Sequence, residues 1–225
     1  MRIAVCVKPV PDLASAYVSK SRSELVEQGK RVPNPADENA LQMALDLRNG
    51  GEVVAFMVGG EEAQEALRPI LAMGADRAYL VTDPLAQEGD ALADAKVLAA
   101  AIRRAGDFDL VLCGARSVVH GMGQVGPRLA EALGLPQAAR VTAASVTGGQ
   151  VQVERAGSLG PATIALPALL TVEPGANTPQ LPNAIAVMKA ARKPLESPSL
   201  EELGVSSDES GLAGAGARLR LTQVP

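Results

Sequence analysis

Short apolar runs alternate with helix-period segments, without a break, from Arg2 to Leu133. That alternation leaves few folds open to the chain. Arg2 to Val7, Glu52 to Val58, Ala78 to Val81 and Leu110 to Cys113 each have the length of a buried strand. The segments between them carry apolar residues at helical spacing. Ala40, Leu41, Ala44 and Leu45 mark the first, and Ala63, Leu67, Ile70 and Leu71 the second. Leu92, Val97, Leu98 and Ile102 mark the third, and Val125, Leu129, Ala132 and Leu133 the fourth. Strands joined through helices run parallel, with helices on both faces of the sheet. The expected fold class is therefore α/β, a mostly parallel, doubly wound sheet.

Local signals sharpen these boundaries. Asn34 reads as an N-cap, Pro35 as the first helical residue, and Asp37 and Glu38 as acids of the first turn. Asn49-Gly50-Gly51 stops that helix. Lys8-Pro9-Val10-Pro11-Asp12 cannot lead directly into a helix, so residues 13–33 read as a loop, alone or with a short excursion from the sheet. After Pro136 the pattern changes. Arg140 to Val146 and Gln150 to Arg155 flank Gly148-Gly149, a two-residue hairpin signal. Ala162 to Leu166 and Ala168 to Val172 are two more short strands. Together these extend the sheet or form a small antiparallel flap. Glu173 to Pro182 reads as loop, and Ala184 to Ala191 as a short helix with Ile185, Val187 and Met188 apolar. The chain is expected to divide into an α/β domain, 1–193, and a tail, 194–225. In that tail Arg218 to Thr222 alternates like an edge strand, either an arm that orders on a partner or a frayed terminus.

The stretch with the clearest chemistry is Asp109 to Pro136. Gly114 breaks a strand; Gly121, Gly123 and Gly126 bracket a helix start. Glycines let backbone approach a ligand, and a helix's first turn offers unpaired N–H groups, so together they suit a phosphate. Gly121-x-Gly123-x-x-Gly126 also matches the dinucleotide fingerprint. That fingerprint belongs after the first strand, with an acid about 20 residues on. Here the loop follows the fourth strand, and Val141 to Gln150 holds no Asp or Glu. The alternative is a glycine-rich turn that binds nothing. Ligands of such sheets sit at the carboxyl ends of the strands, which gathers the residues after Val7, around Val58 and after Cys113.

Composition removes several function classes. Aromatics are 2% of the 225 residues and Trp is absent, so stacking sites for bases or sugars are scarce. A net charge of −4 argues against nucleic acid. His120 is the single histidine, too few for a histidine metal cluster, and it reads as a solvent-facing loop residue. Cys6 and Cys113 fall in strand patterns and are expected to be buried, reduced thiols. No 18-residue apolar run and no signal peptide are evident, so a soluble, cytoplasmic protein without membrane insertion is expected.

Several motifs then recur in a familiar order: Arg2 to Asp12, Asn34-Pro35-x-Asp37-Glu38, Met73-Gly74-Ala75-Asp76-Arg77, Gly123-Gln124-Val125-Gly126-Pro127, Leu166-Pro167-Ala168 and Met188-Lys189-Ala190. In that order the chain resembles the β subunit of electron transfer flavoprotein, over roughly Met1 to Val205. The resemblance implies a non-catalytic electron-carrier subunit paired with a homologous α subunit that bears FAD. It implies one structural AMP in the β subunit. By position, AMP would touch Cys6, then Asn34, Pro35, Ala36 and Asp37, then Val58. It would also touch Gly114, Ala115, Arg116, Ser117, Val118, Val119, His120, Gly121, Met122, Gly123, Gln124 and Val125. The phosphate would sit on the N–H groups of Gly123, Gln124 and Val125, with adenine near Cys6 and Val58.

The resemblance further implies that Gln180 to Met188 docks acyl-CoA and related dehydrogenases, through Leu181, Ala184, Ile185 and Met188. Ile185 could equally pack the helix on its own domain. Electrons from fatty acid β-oxidation would pass on to the quinone oxidoreductase of the respiratory chain. No metal is implied. The sequence departs from the family at Val118-Val119-His120-Gly121-Met122, where many members carry Asp, and at Gln180-Leu181, where an Arg-Tyr pair is usual. The tail is also short for the family, which implies a reduced wrap around the α subunit. Two alternatives stand beside this reading. One is an electron-bifurcating version with a second FAD in the β-subunit site. The other is a stand-alone nucleotide-binding regulatory module.

Overall fold

The computed structural model describes residues 1–12, 14, 17–18, 25–26, 30–82 and 90–206. In chain order its elements are β1 (Ile3–Cys6), β2 (Pro9–Pro11), β3 (Tyr17–Val18), β4 (Leu25–Val26), β5 (Arg31–Pro33), α1 (Pro35–Leu47), β6 (Val53–Val58), α2 (Ala63–Met73) and β7 (Arg77–Val81). There follow α3 (Ala91–Ala105), β8 (Leu110–Gly114), α4 (Val125–Leu133), β9 (Gln137–Thr147), β10 (Gln150–Arg155), β11 (Ala162–Ala165), β12 (Ala168–Val172), α5 (Ala184–Ala190) and β13 (Leu195–Glu196).

Nine strands form one sheet in the order β11-β10-β9-β12-β8-β1-β6-β7-β13. From β9 to β13 every neighbouring pair is parallel; only the β9–β10–β11 end is antiparallel. The α/β class and the antiparallel extension are as the sequence implies. The chain steps from β1 outward to β6 and β7, then returns through α3 to place β8 on the other side of β1.

The central strands are buried on both faces, which is why they read as near-continuous apolar runs. Side chains alternate between faces. Ile3, Val5, Val53, Ala55, Leu110 and Leu112 pack with Leu41 of α1 and Leu67 and Ile70 of α2. Ala4, Cys6, Val54, Phe56, Val111 and Cys113 pack with Val97 of α3 and Leu129 of α4. Helices therefore cover both faces, in a doubly wound arrangement.

Three details differ from the sequence reading. Pro9 to Pro11, expected only to end a strand, pairs as β2 with β5, which lies inside the expected loop. A two-stranded ribbon has open edges that tolerate proline. β9 begins at Gln137, not Arg140, and its first residues continue the parallel sheet beside β12. The antiparallel part is thus an extension of the main sheet and not a separate flap. At Arg140 the backbone turns to φ 59 and the register shifts between Leu170 and Val172. Beyond Pro194, β13 adds to β7, and Leu200 is buried on the α3 face. The edge strand expected over Arg218 to Thr222 lies outside the described residues. Among the described residues no helix is long and apolar enough to cross a membrane.

Candidate functional site

The order of the sheet reverses between β1 and β8, and a crevice opens at such a point beyond the carboxyl ends of the strands. Cys6 and Cys113 are register partners across it. β6 flanks β1, and Val58 at its end pairs with Val81 before Gly59 N–H donates to the Val81 carbonyl at 3.1 Å. The residues expected at the strand ends are thus brought together.

α1 closes one side. Asn34 stands at its cap position with extended backbone, φ −63 and ψ 130, and Pro35 follows as expected. The side chain, however, does not cap the helix. Its Nδ2 donates to the Arg116 carbonyl at 3.1 Å, and its Oδ1 accepts from Val118 N–H at 3.1 Å. Its backbone N–H donates to the Lys8 carbonyl at 3.0 Å. Asp37 likewise does more than balance the helix dipole. It is buried, with Oδ1 accepting from Gly114 N–H at 2.7 Å and Oδ2 from Lys8 N–H at 2.8 Å. One carboxylate ties the end of β1 to the end of β8. Burial pushes its pKa up to about 6, against the opposing pull of the Lys8 and Gly114 amides, the Asn34 side chain and the Lys8 charge.

The loop from Gly114 to Gln124 forms the opposite wall. A Cβ at Gly114 would run into Asp37 and Ala36, so only glycine admits the clamp. Ala115 N–H donates to the Val172 carbonyl at 2.8 Å. Arg116 lies 3.8 Å from Glu173, which also holds Arg140 at 3.0 Å; the Arg140 hydrogen bond keeps the Glu173 pKa below its ordinary value. Gly121 N–H donates to the Ser117 carbonyl at 3.0 Å, and His120 N–H to Ser117 Oγ at 3.3 Å. Gly123 takes φ +62, and a Cβ there would lie 2.8 Å from the Ala115 carbonyl oxygen. Val118, Val119, His120 and Met122 are exposed.

α4 starts hard against the sheet, because Gly126 leaves room for Thr171 and for Cys113 Sγ. No side chain caps its first turn: Gln124 has helical backbone, and its Oε1 accepts from Arg128 Nη2 at 3.3 Å. Uncapped N–H groups, a positive helix end and a loop without acids suit an anion.

Two site residues escaped the sequence reading. Lys8 Nζ lies 3.4 Å from Asp94 of α3, whose pKa burial raises while the Lys8 charge opposes it. A lysine directly after a buried strand was the available signal for one; nothing local marks Asp94. Both cysteines are free and buried, and burial pushes both thiols up, away from the thiolate a nucleophile needs. Among the described residues no three His, Cys, Asp or Glu converge as metal ligands.

Leu181, Ala184, Ile185 and Met188 form a separate surface. α5 buries Ala190, while Leu181 is 92% exposed, Met188 67% and Ile185 59%. Ile185 is thus more exposed than covered by its own domain. Val187 of α5 is also exposed.

Residues 23–203 match the model of the electron transfer flavoprotein domain. "Electron transfer flavoprotein subunit beta" of Thermoanaerobacterium thermosaccharolyticum is 35% identical over 231 residues, covering 100% of this chain and 88% of that protein. "Protein FixA" of Azorhizobium caulinodans is 35% identical, covering 96% and 81%. "Caffeyl-CoA reductase-Etf complex subunit CarD" of Acetobacterium woodii is 34% identical, covering 94% and 83%. With the switch-point crevice and its glycine-rich loop, these likenesses identify the family: the chain belongs to the electron transfer flavoprotein beta-subunit family.

Proposed function

We propose that this chain is the small subunit of a heterodimeric electron transfer flavoprotein, with one AMP in the β1/β8 crevice and the redox FAD on an alpha partner. The observation that carries the AMP site is the uncapped first turn of α4, approached through Gly123 at φ +62. In this reading the N–H groups of Gly123, Gln124 and Val125 hold the phosphate, and Asn34 holds the loop shut over it. Cys6 and Val58 line the adenine side, where backbone groups read the base. Asp37 keeps the two strand ends in place. FAD on the partner supplies the electron-accepting chemistry. The beta chain contributes binding and shape, and no proton or electron passes through its own side chains.

Leu181, Ala184, Ile185 and Met188 dock the donor, an acyl-CoA or related dehydrogenase. An exposed apolar side chain on a loop suits a transient anchor. Electrons then pass from the heterodimer to a quinone oxidoreductase. The C-terminal tail contacts the alpha chain.

A second reading places another FAD in the same crevice. Similarity to a subunit of a caffeyl-CoA reductase-Etf complex favours it, as does a loop whose apolar Val118, Val119 and Met122 are exposed and ready to cover a larger ligand. Co-expression with the neighbouring alpha chain, followed by nucleotide extraction, separates the readings. One FAD and one AMP per heterodimer is expected. Two FAD supports the second reading. A flavin-free homo-oligomer overturns both.

A further inference from the structure

Five buried polar or charged side chains occur among the described residues, and four of them, Asn34, Asp37, Asn39 and Gln42, lie on α1 or at its cap. The first two hold the nucleotide loop. The other two reach the opposite way, toward the irregular segment that precedes α5.

Asn39 Nδ2 donates to the Asn177 carbonyl at 2.8 Å and to Asn177 Oδ1 at 3.0 Å, while its Oδ1 accepts from Gly175 N–H at 3.0 Å. Asn177 returns a bond, its Nδ2 donating to the Asn39 carbonyl at 3.0 Å. Three residues along, Gln42 Oε1 accepts from Gln180 N–H at 3.0 Å, and its Nε2 donates to Asp46 Oδ1 at 2.9 Å. Asn39 is 5% exposed and Gln42 6%. Amides at such depth hold their partners firmly, because a lost bond leaves a desolvated polar group.

The segment they grip has no ladder of its own, and Gln180 is the residue directly before Leu181. Leu181 itself touches almost nothing in the chain. Its pose is therefore set by the backbone on either side, which Gln42 holds on one flank. On the other, Asn183 Oδ1 accepts from Ala186 N–H at 2.9 Å at the start of α5.

We propose that Asn39 and Gln42 are positioning residues of the docking surface: they fix Gly175, Asn177 and Gln180 so that Leu181 is presented in one pose. This rests on the reading of Leu181 as the docking anchor. An anchor already ordered in the free protein loses less freedom on contact, so its encounter with the donor is tighter. The effect falls on recognition and not on electron transfer once the complex is made.

The test uses the heterodimer co-purified with its alpha chain and the acyl-CoA dehydrogenase that turns over fastest with it. Asn39→Asp keeps side-chain volume and sets an acceptor against the Asn177 carbonyl. Gln42→Met keeps length and removes the acceptor for Gln180. Expected for each is amide exchange over 175–180 at least tenfold faster, KM for the heterodimer raised about five- to tenfold, kcat within twofold, and nucleotide content unchanged. Exchange within twofold of the unsubstituted protein overturns the proposal. So does a parallel fall in kcat and nucleotide content, the mark of a merely structural role. Faster exchange with KM unmoved also overturns it, provided Leu181→Ala raises KM in the same assay. If Leu181→Ala leaves KM unmoved, the docking reading itself fails and the positioning role falls with it.

Discussion

Cys6 and Cys113 face each other as register partners on adjacent parallel strands, and the sheet changes direction of winding between them. α1, which follows β1 by way of β2 to β5, covers one face, and α4 follows β8 over the other. The two helix starts therefore diverge on opposite faces of the sheet, with both thiols on the α4 side, and the space beyond these strand ends is the candidate nucleotide crevice. Small side chains on this line matter because any extra volume pushes the helices outward.

Gly126 is one place where that volume is constrained. A methyl group there would strike Thr171 and come within 3.0 Å of Cys113 Sγ. Gly126→Ala should cost about 1–3 kcal/mol, as overpacking of a filled site does. It should also move the first turn of α4 away from the crevice and lower AMP retention. The urea midpoint of the heterodimer and its AMP content are the measurements. A midpoint equal to that of the unsubstituted protein would contradict the packing described.

Asp37 gives the pH dependence. Its pKa in the fold is raised from 3.8 to about 6 by burial. Between those values the folded chain binds a proton that the unfolded chain has released. Asp37's contribution to stability is therefore fully present below the unfolded pKa and is lost as pH rises through about 6. A carboxyl displaced this far loses on the order of 3 kcal/mol across that window. The Asp37 carboxyl carbon should titrate near pH 6 by NMR. In Asp37→Asn, the part of the stability change between pH 4 and pH 7 that belongs to this group should vanish. A carboxyl that titrates below pH 4 would reverse the assignment.

The sheet was legible because burial on both faces leaves its mark in consecutive residues, as in Val53 to Met57 or Leu110 to Cys113. The short strands were not. β5 and β13 each make one ladder of two or three pairs, too few for a pattern to emerge. Asn34 and Asp37 announced a helix start correctly, yet their bonds go to Lys8, Gly114, Arg116 and Val118, 29 to 84 residues away. No local rule carries such partners. The Lys8–Asp94 pair, separated by 86 positions, was hidden for the same reason. The glycine loop was legible in outline, since Gly123 does need its positive φ, while the close approach at Gly126 belongs to tertiary packing.

Leu181 and Ile185 should separate docking from stability. Leu181 is 92% exposed, so Leu181→Ala should change stability by no more than about 0.5 kcal/mol, as surface substitutions generally do. Electron uptake from the dehydrogenase should nevertheless slow. Ile185→Glu should slow it further, because a carboxylate must be desolvated at an apolar contact. Flavin content should stay unchanged in both. Undiminished rates with every dehydrogenase tried would remove the docking role from this surface.

Gly123 allows strain and charge to be told apart. Its φ of +62 disfavours any side chain, and a Cβ would press on the Ala115 carbonyl at 2.8 Å. Gly123→Ala carries the conformational cost, about 1–2 kcal/mol, and the clash with the Ala115 carbonyl but no charge, and should weaken AMP binding by roughly tenfold. Gly123→Asp has the same strain and adds a carboxylate beside the phosphate, so its loss should be larger. Only the charge repulsion is screened by salt. Raising ionic strength from about 0.01 M to 0.15 M should therefore narrow the gap between the two variants and leave Gly123→Ala nearly unmoved. AMP titration of nucleotide-stripped heterodimer at the two salt concentrations reads this directly. Normal AMP content and heterodimer yield in Gly123→Asp would mean that the phosphate is not held at this turn.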